Sequence, residues 1–380
     1  MPISSSVLKP VKVTYILANV TNAISFEWIA AKIDKTRCHL DFVLLINHTQ
    51  PIWLEQWLQQ HQVPCRRLNY RSKLDFFRLF FQVWLHLRRN RSQVIHTHIF
   101  EACLIGFLAG IFAGIRKRLY TRHHSTLHHR YFPRAVWYDR FINFLATDII
   151  AISGVVRQVL IEKEKVNPAK VHLIHHGFDL PYFTEVSQER VEQLRQKYGL
   201  AAHQKVVGVV SRYTHFKGIE YIVDAFAMLL RSGVEARLLL ANALGDYKAT
   251  IQQHLAQLPA DSYLEIEYER DMPALYRCMD VFVHTPIEPD AEAFGQTYVE
   301  CMLTGVPAII TLSGIAHEYA RHSENAWVVG YENSESIYQG LQALLDDKDM
   351  CEQIGKNAQN YAVNHFSFNA MFNKLVELYL

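Results

Sequence analysis

Short runs rich in Val, Ile and Leu alternate with longer segments of helical periodicity, and after a polar connection the whole pattern starts again. In the first half the strand-like runs are 11–18, 40–46, 94–99, 119–122, 148–152 and 171–175. Helical segments lie between them, among them 51–60, 72–89, 102–113 and 133–147. Runs apolar at nearly every position are strands covered on both faces, and strands separated by helices pair in parallel. The charge-rich stretch 181–203 breaks the pattern, which resumes at 206–211, 236–241, 264–268, 281–284, 308–311 and 326–329. A chain of 380 residues is also too long for one ordinary core. The expectation is therefore α/β, with two Rossmann-like, doubly wound domains at 1–180 and 204–362. An amphipathic helix follows within 363–380 (Phe368, Met371, Phe372, Leu375, Val376, Tyr379) and should pack back towards the N-terminal domain. Sheets of this kind bind ligands at the carboxyl ends of their strands.

A net charge of +2 gives no overall field for a nucleic-acid partner. Locally the balance differs. Residues 102–138 contain no acid, while Arg116, Lys117, Arg118, Arg122, Arg130 and Arg134 share the stretch with four histidines. Such a segment suits an anionic membrane surface or the phosphates of a lipid-linked acceptor. The neighbouring helix 72–91, with Phe76, Phe77, Phe80, Phe81 and Trp84, reads as a core helix with a solvated basic end. Six scattered cysteines without a Cys-x-x-Cys pair fit reduced thiols. The N-terminus has no signal-peptide pattern, and the longest charge-free apolar run, 102–115, is too short to span a bilayer. A cytoplasmic protein, peripheral at the inner face of a membrane, is the expected setting.

The chemistry concentrates in the second half. Glu292 and Glu300 stand eight residues apart, with Gly295 between them and a helical run behind. Unpaired N–H groups near Phe294, Gly295 and Gln296 at that helix start suit a diphosphate. Glu292 can then accept from sugar hydroxyls and Glu300 from a ribose. Two carboxylates near a helix N-terminus are also what the macrodipole favours on any surface. Upstream, Arg212 and Lys217 lie on a loop between a strand run and a helix, closed by Gly218. Fixed cations there stabilise the charge on a departing diphosphate. Each motif alone is common; both in one Rossmann-like half, at strand ends, point to a nucleotide-sugar donor site.

These residues resemble the retaining glycosyltransferases of family 4 (glycosyl transferases group 1), which have the GT-B architecture of two facing Rossmann-like domains. The likeness runs through 206–212, Lys217-Gly218, 280–286, 292–300 and 305–307. It implies that Arg212 and Lys217 bind the donor diphosphate, that Glu292 contacts the transferred sugar and that Glu300 holds the ribose. In the first half, Ile95-His-Thr-His98 and Tyr120-Thr-Arg-His-His-Ser125 are similar to the family's strand ends. His123 has the spacing of the family's histidine at the reacting centre, with His124 as its rival. His96 and His98 alternate on one strand and share a face, and one of them reads as a buried structural histidine.

One departure from the family is the absence of glycine from the first 105 residues, so Asn19-Val-Thr-Asn22 replaces the usual Gly-Gly loop. The resemblance implies a nucleotide-sugar donor, no cofactor, and a glycan or lipid-linked saccharide as acceptor. No metal is expected, because no Asp-x-Asp sits at a strand end and Asp346-Asp347 falls on a helix. Two other readings stay open: a nucleotide-sugar 2-epimerase, and a non-catalytic subunit that binds a sugar nucleotide or glycan.

Overall fold

The computed structural model describes residues 9–20 and 24–380. It divides into two compact units, one reaching to Gly177 and taking in Asn369–Leu380, the other spanning Phe178–Phe368.

In the first unit the described residues form one sheet of seven strands. These are β1 (Val11–Ala18), β2 (Cys38–Ile46), β3 (Cys65–Asn69), β4 (Val94–His98), β5 (Lys117–Arg122), β6 (Asp148–Ala151) and β7 (Val171–Leu173). Their order is β3-β2-β1-β4-β5-β6-β7, with every neighbouring pair parallel. Strand β3 is the one the sequence pattern misses. It is an edge strand reading Cys-Arg-Arg-Leu-Asn, without an apolar alternation. Edges tolerate such charge, and Arg67 ties this one down through Glu55 at 3.0 Å and the carbonyl of His48 at 2.6 Å.

Helices Phe76–Asn90 and Phe100–Phe112 cover one face of this sheet. Their Leu79, Val83, Leu87 and Ala109 pack with Ile16, Val43 and Ile95 of the strands. The last helix, Phe368–Tyr379, also serves this unit. Its Tyr379 hydroxyl lies 2.5 Å from that of Tyr15 on β1 and 2.7 Å from His96 Nδ1 on β4.

The second unit repeats the plan with β8 (Lys205–Val210), β9 (Ala236–Ala241), β10 (Tyr263–Ile266), β11 (Val281–His284), β12 (Ala308–Ile310) and β13 (Trp327–Val328). The parallel order is β10-β9-β8-β11-β12-β13. Val207, Val209, Leu238, Leu240 and Val281 pack under Ile222 and Phe226 of helix Ile219–Arg231. Where this unit begins and ends, Phe178 N–H donates to the Phe366 carbonyl and Phe368 N–H to that of Phe178, each at 2.8 Å. The acidic pair is structural rather than a strand-end motif. Asp346 closes helix Ser334–Asp346, and Asp347 caps helix Lys348–His365 by accepting from Met350 N–H.

Strand order reverses between β1 and β4 in one sheet and between β8 and β11 in the other. At each reversal the following connections leave in opposite directions and open a crevice at the carboxyl ends. Arg212, Lys217, Glu292 and His123 lie on the loops at those ends.

Candidate active site

In the second unit Glu292 is the hub. Its Oε1 accepts from Lys217 Nζ and lies 2.8 Å from His284 Nε2, while its backbone N–H donates to Ser313 Oγ at 3.1 Å. Lys217 arrives on the loop after β8, in the turn His215–Lys217. Gly218 ends that turn at φ 62°, and a Cβ there would stand 2.5 Å from the Thr285 carbonyl oxygen. Only glycine allows both that conformation and that approach, which presses the Lys217 loop against the end of β11. Gly314 does the same on the far side, at φ 58° with a virtual Cβ 2.8 Å from Glu292 Cβ.

Burial alone would raise the Glu292 pKa, but the Lys217 ammonium and the His284 ring hold it well below the usual carboxylate range. Glu292 therefore stays ionised, oriented from two sides. Burial pushes His284 the other way, down from its ordinary value, partly offset by Glu292. His284 and Ser313 escaped the sequence reading. The one signal was a histidine closing an otherwise apolar strand; nothing marked the serine.

Arg212 lies just beyond β8 with its side chain exposed. Gly295 caps helix Gln296–Thr304 at φ 85°, and Gln296 opens that helix on the surface. Phe294 is buried, so only its backbone can serve a ligand. Glu300, half-buried on the same helix, accepts from the Tyr276 hydroxyl at 2.9 Å and, among the described residues, shares no hydrogen-bond partner with Glu292. Burial raises its pKa, with the tyrosine hydroxyl pulling back. The two carboxylates thus occupy opposite electrostatic environments.

In the first unit the histidines form a row. His98 Nδ1 lies 2.9 Å from His123 Nε2, and the His123 and His176 rings stack with centroids 5.8 Å apart. His96 is locked between Tyr379 and Thr121, the latter at 2.8 Å. Both His96 and His98 are buried, where one was expected. Burial lowers His96 and His176 to about 3 and His98 well below its ordinary value. His123 keeps exposed surface, and its shift is likewise downward, from the surrounding protein and then from His124.

His123 and His124 part company here. His124 turns to Asp139, at 3.5 Å, and joins His128 and Arg122 around that carboxylate. Beside them is a cavity of about 190 Å³ lined by Phe100, Tyr120, His123, His128 and Ile142. Ile99 on its rim holds φ 73° and ψ 149°. That region is almost closed to a β-branched residue, and strain of this kind persists where a site fixes the chain. Asn19 is also left-handed, at φ 52°, and its side chain donates to the Tyr70 hydroxyl at 2.7 Å and accepts from Asn47 N–H. Thr21 and Asn22 of that loop lie outside the described residues.

The depressed histidines predict how stability responds to acid. Their native forms refuse protons that the unfolded chain accepts near pH 6.5. Stability is then fully present above that value and falls as pH drops towards the native values of about 3 for His96 and His176. Melting curves between pH 7.5 and about 4.5 are expected to show a steady decline in Tm beginning near pH 6.5. His96→Gln should flatten the decline; a Tm independent of pH over this range contradicts the neutral-imidazole row.

Comparison with known proteins fits this geometry. The Glycosyl transferases group 1 family model matches residues 190–361, and that of Glycosyltransferase Family 4 matches 42–181. The chain is 24% identical over 332 residues to the capsular polysaccharide biosynthesis glycosyltransferase CapM of Staphylococcus aureus, covering 84% of each chain. It is 21% identical to the UDP-Gal:alpha-D-GlcNAc-diphosphoundecaprenol alpha-1,3-galactosyltransferase of Escherichia coli, over 90% of this chain and 89% of that one. Among solved structures, HepE of Anabaena in complex with UDP and glucose superposes with a TM-score of 0.83 at 21% identity, covering 97% of this chain and 98% of that one. With one family model on each unit and the fold shared along nearly the whole length, the chain belongs to the group 1, family 4 glycosyltransferases and is a GT-B enzyme that transfers sugar.

Proposed function

We propose that this glycosyltransferase is retaining, takes its sugar from a nucleoside-diphosphate donor without a metal ion, and delivers it to a hydroxyl of a glycan or lipid-linked saccharide. The observation that carries this reading is the Glu292 carboxylate, kept ionised by Lys217 and His284 at the β8/β11 reversal. In this reading the second unit is the donor side. Arg212 and Lys217 neutralise the diphosphate, with backbone N–H groups at Gly295 and Gln296 completing its cradle. Glu292 accepts from the transferred sugar, and Glu300 takes the ribose hydroxyls. Lys217, bonded to Glu292, links the phosphate and sugar ends of the donor, so the two groups are positioned together.

The first unit is the acceptor side, with His123 at the reacting centre over the cavity. A neutral imidazole there can accept a hydrogen bond from a sugar hydroxyl without adding charge. Retention follows a front-face route, in which the leaving diphosphate takes the acceptor proton as the new glycosidic bond forms. Relatives named for capsular polysaccharide and for a diphosphoundecaprenol-linked acceptor support a cell-surface glycan product. HepE, solved with UDP and glucose, supports a uridine donor. We assign a cytoplasmic enzyme that meets a lipid-linked acceptor from the surface, as the diphosphoundecaprenol-linked acceptor named for one relative supports; no helix among the described residues is long and apolar enough to cross a membrane.

Calorimetry with free UDP separates the two carboxylates. Glu300→Ala should weaken UDP binding about tenfold or more, the loss of the ribose hydroxyls' hydrogen bonds to this carboxyl. Glu292→Ala should bind UDP nearly as the wild type does yet transfer no sugar. Equal losses of UDP affinity in both variants would refute this division, and conversion of the donor to its 2-epimer without an acceptor would favour an epimerase instead.

A further inference from the structure

The basic segment divides in two once its side chains are placed. Arg118 is spent inside the first unit, with Nε donating to the Leu145 carbonyl at 3.1 Å and Nη1 to that of Ile115 at 2.8 Å. Arg122 is buried against Asp139 and Glu164. Neither is available to a surface. Arg116 and Arg130 stay exposed, and further exposed charge lies around helix Ala135–Leu145.

That helix buries Asp139, Ile142, Asn143 and Leu145. Its other side presents Trp137 (70% exposed), Phe141 (44%) and Phe144 (77%), spaced by four and three residues along one stripe, with Tyr138 (58%) beside them. Arg134 and Arg140 are exposed and flank the stripe, and the Arg140 guanidinium sits 5.3 Å from the Trp137 ring centroid. The only acid of the helix is Asp139, turned inward to Arg122 and His128. The outward face therefore combines large aromatic area with positive charge and carries no negative charge.

We propose that helix Ala135–Leu145 docks the enzyme on anionic bilayer surfaces, its aromatic stripe entering the headgroup boundary and Arg134 and Arg140 meeting lipid phosphates. Charge complementarity selects this occupant. An amphipathic helix lying in the interface needs an apolar face edged by cations, and aromatic rings with a polar edge belong at headgroup depth. The inference rests on the proposed peripheral association and gives it a surface other than the 116–118 cluster.

Flotation with vesicles of mixed phosphatidylcholine and phosphatidylglycerol, against phosphatidylcholine alone, tests it on the full chain. Wild-type protein should float with the anionic vesicles, less so at raised salt, and stay behind with the neutral ones. Replacing Trp137, Phe141 and Phe144 together by Ser should lower anionic-vesicle binding about tenfold or more, since buried aromatic area carries the insertion. Arg134→Ser with Arg140→Ser should erase the preference for anionic lipid. The proposal is overturned if the wild type ignores anionic vesicles or if the triple variant floats as well as the wild type. It is equally overturned if the stripe instead holds a dimer that the triple variant dissolves without any flotation. Release of nucleoside diphosphate from the donor, measured in vesicle-free solution, should be the same in all these proteins. That readout separates a failure of docking from a failure of the enzymatic reading.

Discussion

Arg212→Ala and Lys217→Ala are each expected to lower turnover by about a hundredfold or more, while only Lys217→Ala weakens the fold. Removing a fixed cation from developing phosphate charge in a water-poor site costs about 2–4 kcal/mol of transition-state stabilisation. Arg212 is exposed on its loop, so its truncation leaves nothing buried behind. Lys217 is different, because its ammonium is bonded to the buried Glu292. Without it an ionised carboxylate stays in the interior with only His284 for company. Breaking such a pair costs about 3–5 kcal/mol, and the high end applies only if His284 cannot take a proton in compensation. Steady-state rates with the donor and thermal unfolding of both variants check this. Near-normal turnover in either variant, or equal stability in the two, contradicts the arrangement.

The second large effect lies in the first unit. Arg122 bridges Asp139 at 3.0 Å and Glu164 at 2.5 Å, and Asn143 donates to the other Glu164 oxygen at 2.6 Å. His128 and His129 close the network from outside. Arg122→Met should destabilise this unit by about 3–5 kcal/mol, because two buried carboxylates lose their shared cation. The corresponding fall in Tm is on the order of 10 °C. Adding Asp139→Asn and Glu164→Gln to Arg122→Met should recover part of the loss, since the uncompensated charge goes with them. Arg122 Nε also donates to the His124 carbonyl at 3.1 Å, holding the loop that carries His123, so turnover should fall along with stability. A melting temperature equal to that of the wild type would show that the network is solvated, not structural.

How much of this was legible in advance follows from what each feature depends on. The doubled α/β alternation was, because buried parallel strands must be apolar along their length and need no partner to be recognised. Strand β3 was not, because an edge strand held by Arg67 contacts has no apolar period to detect. Glu292, Lys217 and Arg212 stood out by residue type and position before a helix or after a strand. That Lys217 is bonded to Glu292 across 75 positions depends on how the glycines at 218 and 314 press two loops together, which no local pattern encodes. The basic stretch misled for the same reason. Charge density is visible in a sequence, but Arg118 and Arg122 turn inward to carbonyls and carboxylates that only the fold brings near. The aromatic stripe at 137, 141 and 144 was readable as a helical period, yet nothing in the sequence says which face of that helix meets the core.

The central claim is that the Glu292 cluster at the end of β11 is the donor site of a sugar-transferring enzyme. Release of nucleoside diphosphate from a panel of nucleotide sugars, with wild type and Glu292→Ala side by side, tests it most directly. The wild type should turn over at least one donor, with a uridine nucleotide first among them, and Glu292→Ala should bind UDP but release nothing above background. Turnover by Glu292→Ala at the wild-type rate, or no turnover of any donor by a folded wild type, would contradict the account.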